Sequence, residues 1–243
     1  MRDDLLDAQA CVDWTVANLD GFEQRLVAWL KANIYVAIKE LPPHEADNLV
    51  VAIQRQPLTL AFNVEAGAFL NALRSALDML AWAVAKRETF HSPKDIYFPV
   101  ADSAAKFAKG DYHGSKFIRG ISADHRLIFE SHKPYKGGND LLYALHQLDI
   151  RRKHRRLLST FSRPARFFFT SEGGHFTFPT TFVRIDDLTT VLGRFTKGAP
   201  NPKFDCTSQI IFNEPDIIST EPVVAALRQF ASLTHAIIES FDS

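Results

Sequence analysis

The sequence predicts an α+β fold, in which helices come first, an antiparallel sheet follows and a C-terminal helix closes the chain. Long stretches before residue 160 place apolar residues at every third or fourth position, which is typical of amphipathic helices. After that point the apolar period changes to two, which indicates half-buried strands. Hydrophobic residues make up 46% of the 243 residues, enough to form a buried core.

The sequence has no internal repeat and no linker poor in apolar residues, so we predict one α+β domain over residues 1–243. The predicted parts are a helical core at roughly 1–33, 63–86, 140–159 and 220–243, and a sheet at roughly 34–60 and 161–213.

The N-terminal segment predicts a long helix, because its apolar residues follow one another in steps of three and four. These residues are Leu5, Ala8, Val12, Leu19, Phe22, Leu26 and Trp29, with an interruption at Thr15. A seam of this kind packs inside a helical bundle or forms the contact of a homodimer. The sequence leaves both alternatives open.

Two β-branched stretches, 35–39 and 48–54, enclose Pro42 and Pro43 and predict a hairpin with a long loop. Further helices are predicted, in chain order, at 63–86, 103–108, 114–121, 122–131 and 140–159.

The second half of the chain predicts strands and a final helix. The stretches 166–170 and 175–178 enclose Ser-Glu-Gly-Gly, which indicates a hairpin. Shorter strands are predicted at 182–185 and 208–212. Thr220 is the expected N-cap of the last helix, with Pro222 in its first turn.

Composition points to a cytoplasmic protein without a membrane segment. Lys plus Arg and Asp plus Glu number 28 each, so no overall field favours nucleic acid or membranes. Cys11 and Cys206 form no disulfide framework, which is typical of a reducing compartment. The N-terminus is acidic where a signal peptide would be basic, and no apolar run approaches the roughly 18 residues of a membrane span.

The helix predicted over 63–86 carries a narrow polar strip beside its leucine face. At 100° per residue the strip contains Gly67, Asn71, Arg74 and Asp78. Arg74 and Asp78 are four residues apart and can form an ion pair within the helix. Gly67 leaves space for another group to approach the strip.

The helix predicted over 140–159 changes from leucine to charge halfway along its apolar face. Asp149, Arg152 and Arg156 continue the leucine stripe, Lys153 lies at its edge, and the basic run 151–156 surrounds them. Buried charge needs a partner, so three interpretations stay open: an ion-pair network across the two helices, a ligand or nucleic-acid site, or a solvated face. The candidate binding residues are Asn71, Arg74, Asp78, Asp149, Arg152, Lys153 and Arg155.

Known cofactor and metal motifs are absent from the sequence. It contains no glycine-rich phosphate loop, no dinucleotide fingerprint and no nucleophile elbow. His146 and Asp149 have a spacing that suits a metal, but no second pair of that kind follows. We therefore expect no cofactor and no metal.

The two charged helices resemble those of a family of uncharacterised bacterial proteins. Its first helix reads Gly-Asp/Glu-x-Leu-His-Asn-Leu-Arg-Ser-Ala-Leu-Asp-His-Leu, and a later one reads Leu-x-x-Leu-x-x-x-Asp-Lys-His-Arg. The matching residues are Gly67, Leu70, Leu73, Arg74, Ser75, Ala76, Leu77, Asp78 and Leu80, then Leu145, Leu148, Lys153, His154 and Arg155, with Tyr97-Phe98-Pro99 between them. The first motif is similar to the Arg-x4-6-His motif of HEPN-type helical ribonucleases, which implies a HEPN-like helical bundle. The chain has Asn71, Met79 and Arg152 where the family has His, His and Asp.

These observations lead to three functional hypotheses. The first is a non-catalytic module that binds a polyanion such as nucleic acid, or a protein partner, through residues 151–156. The second, implied by the resemblance, is a HEPN-like ribonuclease or nucleotide-processing enzyme, in which His154 is the acid or base and Arg74 and Lys153 hold phosphate. The third is a structural dimerisation module built on the N-terminal seam.

Overall fold

The computed structural model describes residues 1–198, 200 and 202–242, and its α+β class with a closing C-terminal helix confirms the predicted class. In that range the α-helices are α1 (Leu6–Asn33), α2 (Leu60–Arg87), α3 (Ala104–Lys109), α4 (Ser115–Gly120), α5 (Ala123–Ser131), α6 (Asp140–His154) and α7 (Val223–Glu239). The strands are β1 (Ile34–Lys39), β2 (Asp47–Gln54), β3 (Thr160–Thr170), β4 (Phe176–Thr177), β5 (Val183–Arg184), β6 (Thr189–Thr196), β7 (Lys203–Glu214) and β8 (Ile218–Pro222).

The chain divides into two compact units, each made of separate stretches. The first unit contains Met1–Phe22, Asn63–Ser159 and the chain from Phe212 onward, and the second contains Glu23–Phe62 and Thr160–Ile211. The helices α1 and α2 and the strand β7 each pass from one unit to the other along the chain. The organisation as a single domain stays a prediction.

The first unit is helical and has a core of leucine and phenylalanine. The apolar seam of α1 is buried within the chain, since Leu5, Val12, Leu19 and Phe22 are at most 2% exposed. This burial favours packing inside a bundle for the seam. Other buried members of the core are Phe69, Leu73, Leu77, Phe98, Phe117, Phe129, Leu145, Leu148, Leu227 and Phe230.

Helix α2 is long and apolar enough to cross a membrane, by length and composition alone. An 18-residue window within Leu60–Arg87 has a mean hydropathy of 1.2, although 61% of that window is buried inside the structure. Because core helices of soluble proteins have the same length and composition, this property alone does not place the chain in a membrane.

The second unit contains a sheet with the strand order β1-β2-β6-β4, in which β5 also pairs with β6. The predicted hairpin is confirmed, because β1 and β2 pair antiparallel with Tyr35 opposite Ile53. The central strand β6 was not predicted from the sequence, because Gly193 interrupts its apolar pattern. The ring of Phe176 occupies the position that a Cβ at Gly193 would fill. Strand β3 and most of β7 also belong to this unit and pair in a second sheet.

The predicted hairpin between 166–170 and 175–178 is wrong. Strand β4 pairs with β6, with Phe176 opposite Phe195, whereas β3 belongs to the other sheet. The phenylalanines of β3 and β4 nevertheless meet through their rings, at 5.0 Å between the centroids of Phe169 and Phe176. The alternating apolar pattern is therefore satisfied by side-chain packing between strands that are not hydrogen-bonded neighbours.

Two predicted helix boundaries are also wrong. Helix α6 ends at His154 rather than at residue 159, because Ser159 instead donates its backbone N–H to Glu214 at 2.7 Å. The last helix begins at Val223, and Thr220 is not its N-cap but a residue of β8 with a φ of 66°. Pro222 takes the N-cap position, without a side-chain hydrogen bond.

Candidate functional site

A cleft in the first unit lies against the two charged helices. It consists of two adjoining cavities of about 350 and 530 Å³, which share Val100, His113, His146 and Ile150. The first cavity is also lined by Arg74, Asp78, Tyr97, Phe98, Asp149, Lys153 and His154. The second is also lined by Ala101, Asp102, Lys106, Gly110, Asp111, Tyr112 and Gln147.

Arg74 is buried at the wall of the first cavity, and each of its three guanidinium nitrogens has a partner. Nη1 donates to Oδ1 of Asp78 at 2.7 Å, and Nη2 donates to the carbonyl oxygen of Phe98 at 3.2 Å. Nε donates to Nδ1 of His146 on α6 at 3.2 Å. Asp78 completes the network by accepting the backbone N–H of Phe98 at 3.0 Å. Arg74 therefore holds α2, α6 and the segment before Pro99 together.

The same contact fixes the tautomer of His146. Arginine does not give up its proton, so Nδ1 of His146 is the acceptor and the ring proton sits on Nε2. Burial, followed by the neighbouring charge of Arg74, lowers the pKa of His146 to about 3. At neutral pH the ring is thus an uncharged hydrogen-bond donor, and it lines both cavities.

Asp149 is a buried carboxylate with one unsatisfied oxygen. The residue is 3% exposed, and Oδ2 forms an ion pair with Nζ of Lys153 at 2.6 Å. Within the described part of the chain, Oδ1 has no hydrogen-bond partner, and Nη2 of Arg152 lies 3.6 Å away. A buried acceptor without a partner costs about 1–3 kcal/mol. Asp149 is therefore the least satisfied buried charged group in the wall of the cleft.

The basic run 151–156 is largely neutralised inside the molecule. Glu214 is fully buried and accepts hydrogen bonds from Arg151 and from both terminal nitrogens of Arg156, at 3.0 and 2.8 Å for the latter. Arg152 and Lys153 face Asp149 in the same helix. Four of the six basic residues thus have acidic partners.

The structure brings four of the seven predicted binding residues into one cavity, together with His154. These four are Arg74, Asp78, Asp149 and Lys153. Asn71, Arg152 and Arg155 do not line the cleft. The space that Gly67 leaves is filled by the side chain of Arg152, which a Cβ at Gly67 would overlap.

The predicted ion-pair network across the two helices is wrong in its partners. Among the described residues, Asp78 pairs with Arg74 within α2, and Asp149 pairs with Arg152 and Lys153 within α6. The link across the helices is instead the hydrogen bond from Arg74 to His146. Each acid therefore finds a base one turn away on its own helix, where the geometry is fixed by the helix itself.

Sequence reasoning missed His146 and His113 as cleft residues. His146 lies three residues before Asp149 and seven before Lys153, so the spacing already placed the three on one helical face. The approach of Arg74 from another helix has no signal in the sequence. His113 follows a turn outside any predicted helix and meets Tyr97 edge to face, at 5.8 Å between ring centroids.

Comparisons with protein-family models, with curated proteins and with solved structures give no match to this chain. Over residues 1–198, 200 and 202–242, no group of three or more His, Cys, Asp or Glu side chains is arranged to hold a metal ion.

Proposed function

We propose that the protein is a non-catalytic binding module whose cleft takes up a small polar molecule. The observation that carries this proposal is the buried Asp149 in the wall of a cavity of about 350 Å³, with no hydrogen bond to Oδ1 among the described residues and Nη2 of Arg152 3.6 Å from it. A ligand that donates a hydrogen bond there would remove the cost of an unsatisfied buried acceptor.

The ion pairs of the basic run with Glu214 and Asp149 argue against a polyanion site on residues 151–156. A phosphate backbone is bound by cations that are free to exchange counterions for phosphate. Within the described residues, only His154 and Arg155 of the run lack a side-chain hydrogen bond or ion pair. Binding of nucleic acid, binding of a protein partner and homodimer formation stay predictions, and we assign no surface to them. The cytoplasmic location also stays a prediction.

A second candidate function is that of a HEPN-like enzyme. The helical first unit is compatible with the HEPN-like bundle that the resemblance implies, and His154 lines the same cavity as Arg74 and Lys153. Because Arg74 occupies Nδ1 of His146 and Nε2 carries the proton, His146 serves as a donor and not as a base. Proton transfer would fall to His154 or His113. Loss of RNA or nucleotide turnover in His154→Ala would support this candidate.

The binding function can be tested by methyl NMR of the full chain during titration with a library of polar fragments. The methyl groups of Val100 and Ile150 line both cavities and report on either of them. We expect saturable shifts at these methyls, weakened at least tenfold in Asp149→Asn and unchanged in the matched control Arg155→Ala. If no fragment shifts them, or if Asp149→Asn binds like the parent protein, the cleft is not the binding site.

A further inference from the structure

The Lys, Arg and Asp side chains that line the cleft carry one more negative than positive charge. The two cavities are lined by the cations Arg74, Lys106 and Lys153 and by the carboxylates Asp78, Asp102, Asp111 and Asp149. Three cations against four carboxylates give a net charge of −1. His146 adds no positive charge at neutral pH, because burial lowers its pKa to about 3. A cleft of this sign attracts cations and repels phosphates.

The cations of the cleft are already engaged. Arg74 has a partner at each guanidinium nitrogen, Lys153 contacts Asp149 at 2.6 Å, and Lys106 contacts Asp102 at 2.6 Å. A ligand that brings negative charge would have to compete with these pairs.

The carboxylates, in contrast, keep unused acceptor positions. Both hydrogen bonds to Asp78 go to Oδ1, and Oδ1 of Asp149 has no hydrogen-bond partner among the described residues. Asp111 is exposed and makes no side-chain hydrogen bond or ion pair within the described part of the chain. Each cation of the cleft has an acidic partner whereas Asp111 has none among the described residues, so a ligand that supplies positive charge and donors suits the cleft.

These acceptors occur in both cavities. Asp78 and Asp149 line the first cavity, and Asp102 and Asp111 line the second. The residues shared by the two cavities include Val100 and Ile150, which offer an apolar surface between the acidic ends. Aromatic rings also line the cleft, and such rings attract ammonium groups and pack against methylene chains. The rings of this kind that are not fully buried are those of Tyr97 and Tyr112.

We propose that the ligand of the cleft is a linear diamine or polyamine, with one ammonium group in each cavity and its methylene chain along Val100 and Ile150. One ammonium would donate to the carboxylate of Asp149, which is nine-tenths buried and whose Oδ1 accepts no hydrogen bond among the described residues, and a second would meet Asp111. This inference rests on the proposed binding function of the cleft. It adds the chemical class of the ligand.

The test is a titration of the full chain with spermidine and putrescine in 150 mM NaCl, followed at the methyls of Val100 and Ile150 and by calorimetry. We expect saturable binding of spermidine that weakens at least tenfold in Asp149→Asn and several-fold in Asp111→Asn. Asp124→Asn removes an exposed acid outside the cleft and should bind spermidine like the parent protein. Asp111 is itself exposed, so its variant keeps the test valid if Asp149→Asn fails to fold.

The outcomes separate this inference from the proposed function. If adenosine monophosphate or other fragments shift the cleft methyls and both amines do not, the amine class is wrong and the binding cleft stands. If neither amines nor fragments shift them, both proposals are wrong. Equal weakening of spermidine binding in Asp124→Asn and Asp149→Asn would reveal general charge attraction and would overturn the amine site.

Discussion

Glu214 and Asp149 are two buried carboxylates of the first unit. Both contact residues of the basic run 151–156, but they accept different numbers of hydrogen bonds. Glu214 is 0% exposed, and its two oxygens accept hydrogen bonds from Arg151, Arg156 and the backbone of Ser159. Asp149 is 3% exposed, yet within the described residues it has only ion pairs on its own helix, with Lys153 at 2.6 Å and Arg152 at 3.6 Å, and Oδ1 accepts no hydrogen bond. The two carboxylates are almost equally buried, but Glu214 has more of its acceptor positions occupied by hydrogen-bond donors than Asp149 has.

This difference separates a structural ion-pair cluster from a candidate site. A buried carboxylate with a full set of donors has no reason to bind anything further, since its desolvation cost is already offset. A buried carboxylate that lines a cavity with a free oxygen is incomplete until a donor arrives. The expected effects on the free energy of unfolding decrease from Glu214, through Arg151 and His146, to Asp149.

The largest effect should come from Glu214→Gln. This change leaves Arg151, 15% exposed, with the exposed Asp216 at 3.9 Å as its acidic partner among the described residues, and breaking a buried ion pair costs roughly 3–5 kcal/mol. Urea unfolding of the variant and the parent protein gives the difference. Glu221→Gln, at an exposed acid outside the cluster, is the control and should stay within about 0.5 kcal/mol. Loss of less than about 1 kcal/mol in Glu214→Gln would show that the cluster does not stabilise the fold.

Neighbouring members of the basic run should respond differently to truncation. Arg151→Ala removes one of the two arginines at Glu214, and we expect a loss of about 2–3 kcal/mol because the carboxylate stays buried with fewer donors. Arg155→Ala removes a side chain without such a partner among the described residues and should change stability by less than about 0.5 kcal/mol. The free energy of unfolding is measured for both variants. An equal loss of stability in Arg151→Ala and Arg155→Ala would contradict the distinction between arginines with and without an acidic partner.

The pH dependence of stability should reveal that His146 is uncharged in the folded chain. Its pKa is about 3 when folded and 6.5 as the unperturbed value, so the unfolded chain binds the additional proton between these pH values. The stability contributed by the neutral ring is therefore complete above pH 6.5 and is lost as the pH falls towards 3.

His146→Asn keeps an acceptor for Arg74 without a titrating ring, so it isolates this contribution. Between pH 7.5 and 5 the parent protein should lose about 1–2 kcal/mol more than the variant, from this group alone. Urea unfolding at the two pH values measures the loss. Identical pH dependence in the two proteins would mean that His146 titrates in the folded state as it does when unfolded.

The features predicted from the sequence are those set by short-range periodicity. The apolar seam of α1, the length of α2 and the hairpin of β1 and β2 follow from patterns within one or two elements. The Arg74–Asp78 pair also follows, because residues four apart on a helix are neighbours whatever the rest of the chain does.

The features that could not be predicted depend on which elements meet. Strand β4 pairs with β6 rather than β3, although the alternating phenylalanines would suit either partner. Arg74 meets His146, 72 residues away, and Glu214 meets Arg151, 63 residues away. The change from leucine to charged residues along one helix face predicts that the charged residues have partners. The partners of Arg74 and Arg151 lie in other elements, so the sequence near each arginine does not indicate them.

The smallest expected effect on stability is that of Asp149→Asn, and it is the most informative. The amide keeps an acceptor for Lys153, which is 38% exposed and can be solvated by water once its charged partner is lost. The change also removes charge from a buried oxygen that accepts no hydrogen bond among the described residues, which offsets part of the loss of the ion pairs with Lys153 and Arg152. We expect a loss of about 1 kcal/mol or less by urea unfolding, together with at least tenfold weaker spermidine binding. Glu214→Gln should show the reverse pattern, with a large stability loss and, in the folded fraction, unchanged binding. If Asp149→Asn proves as destabilising as Glu214→Gln, Asp149 is a structural ion pair and the contrast between the two acids fails.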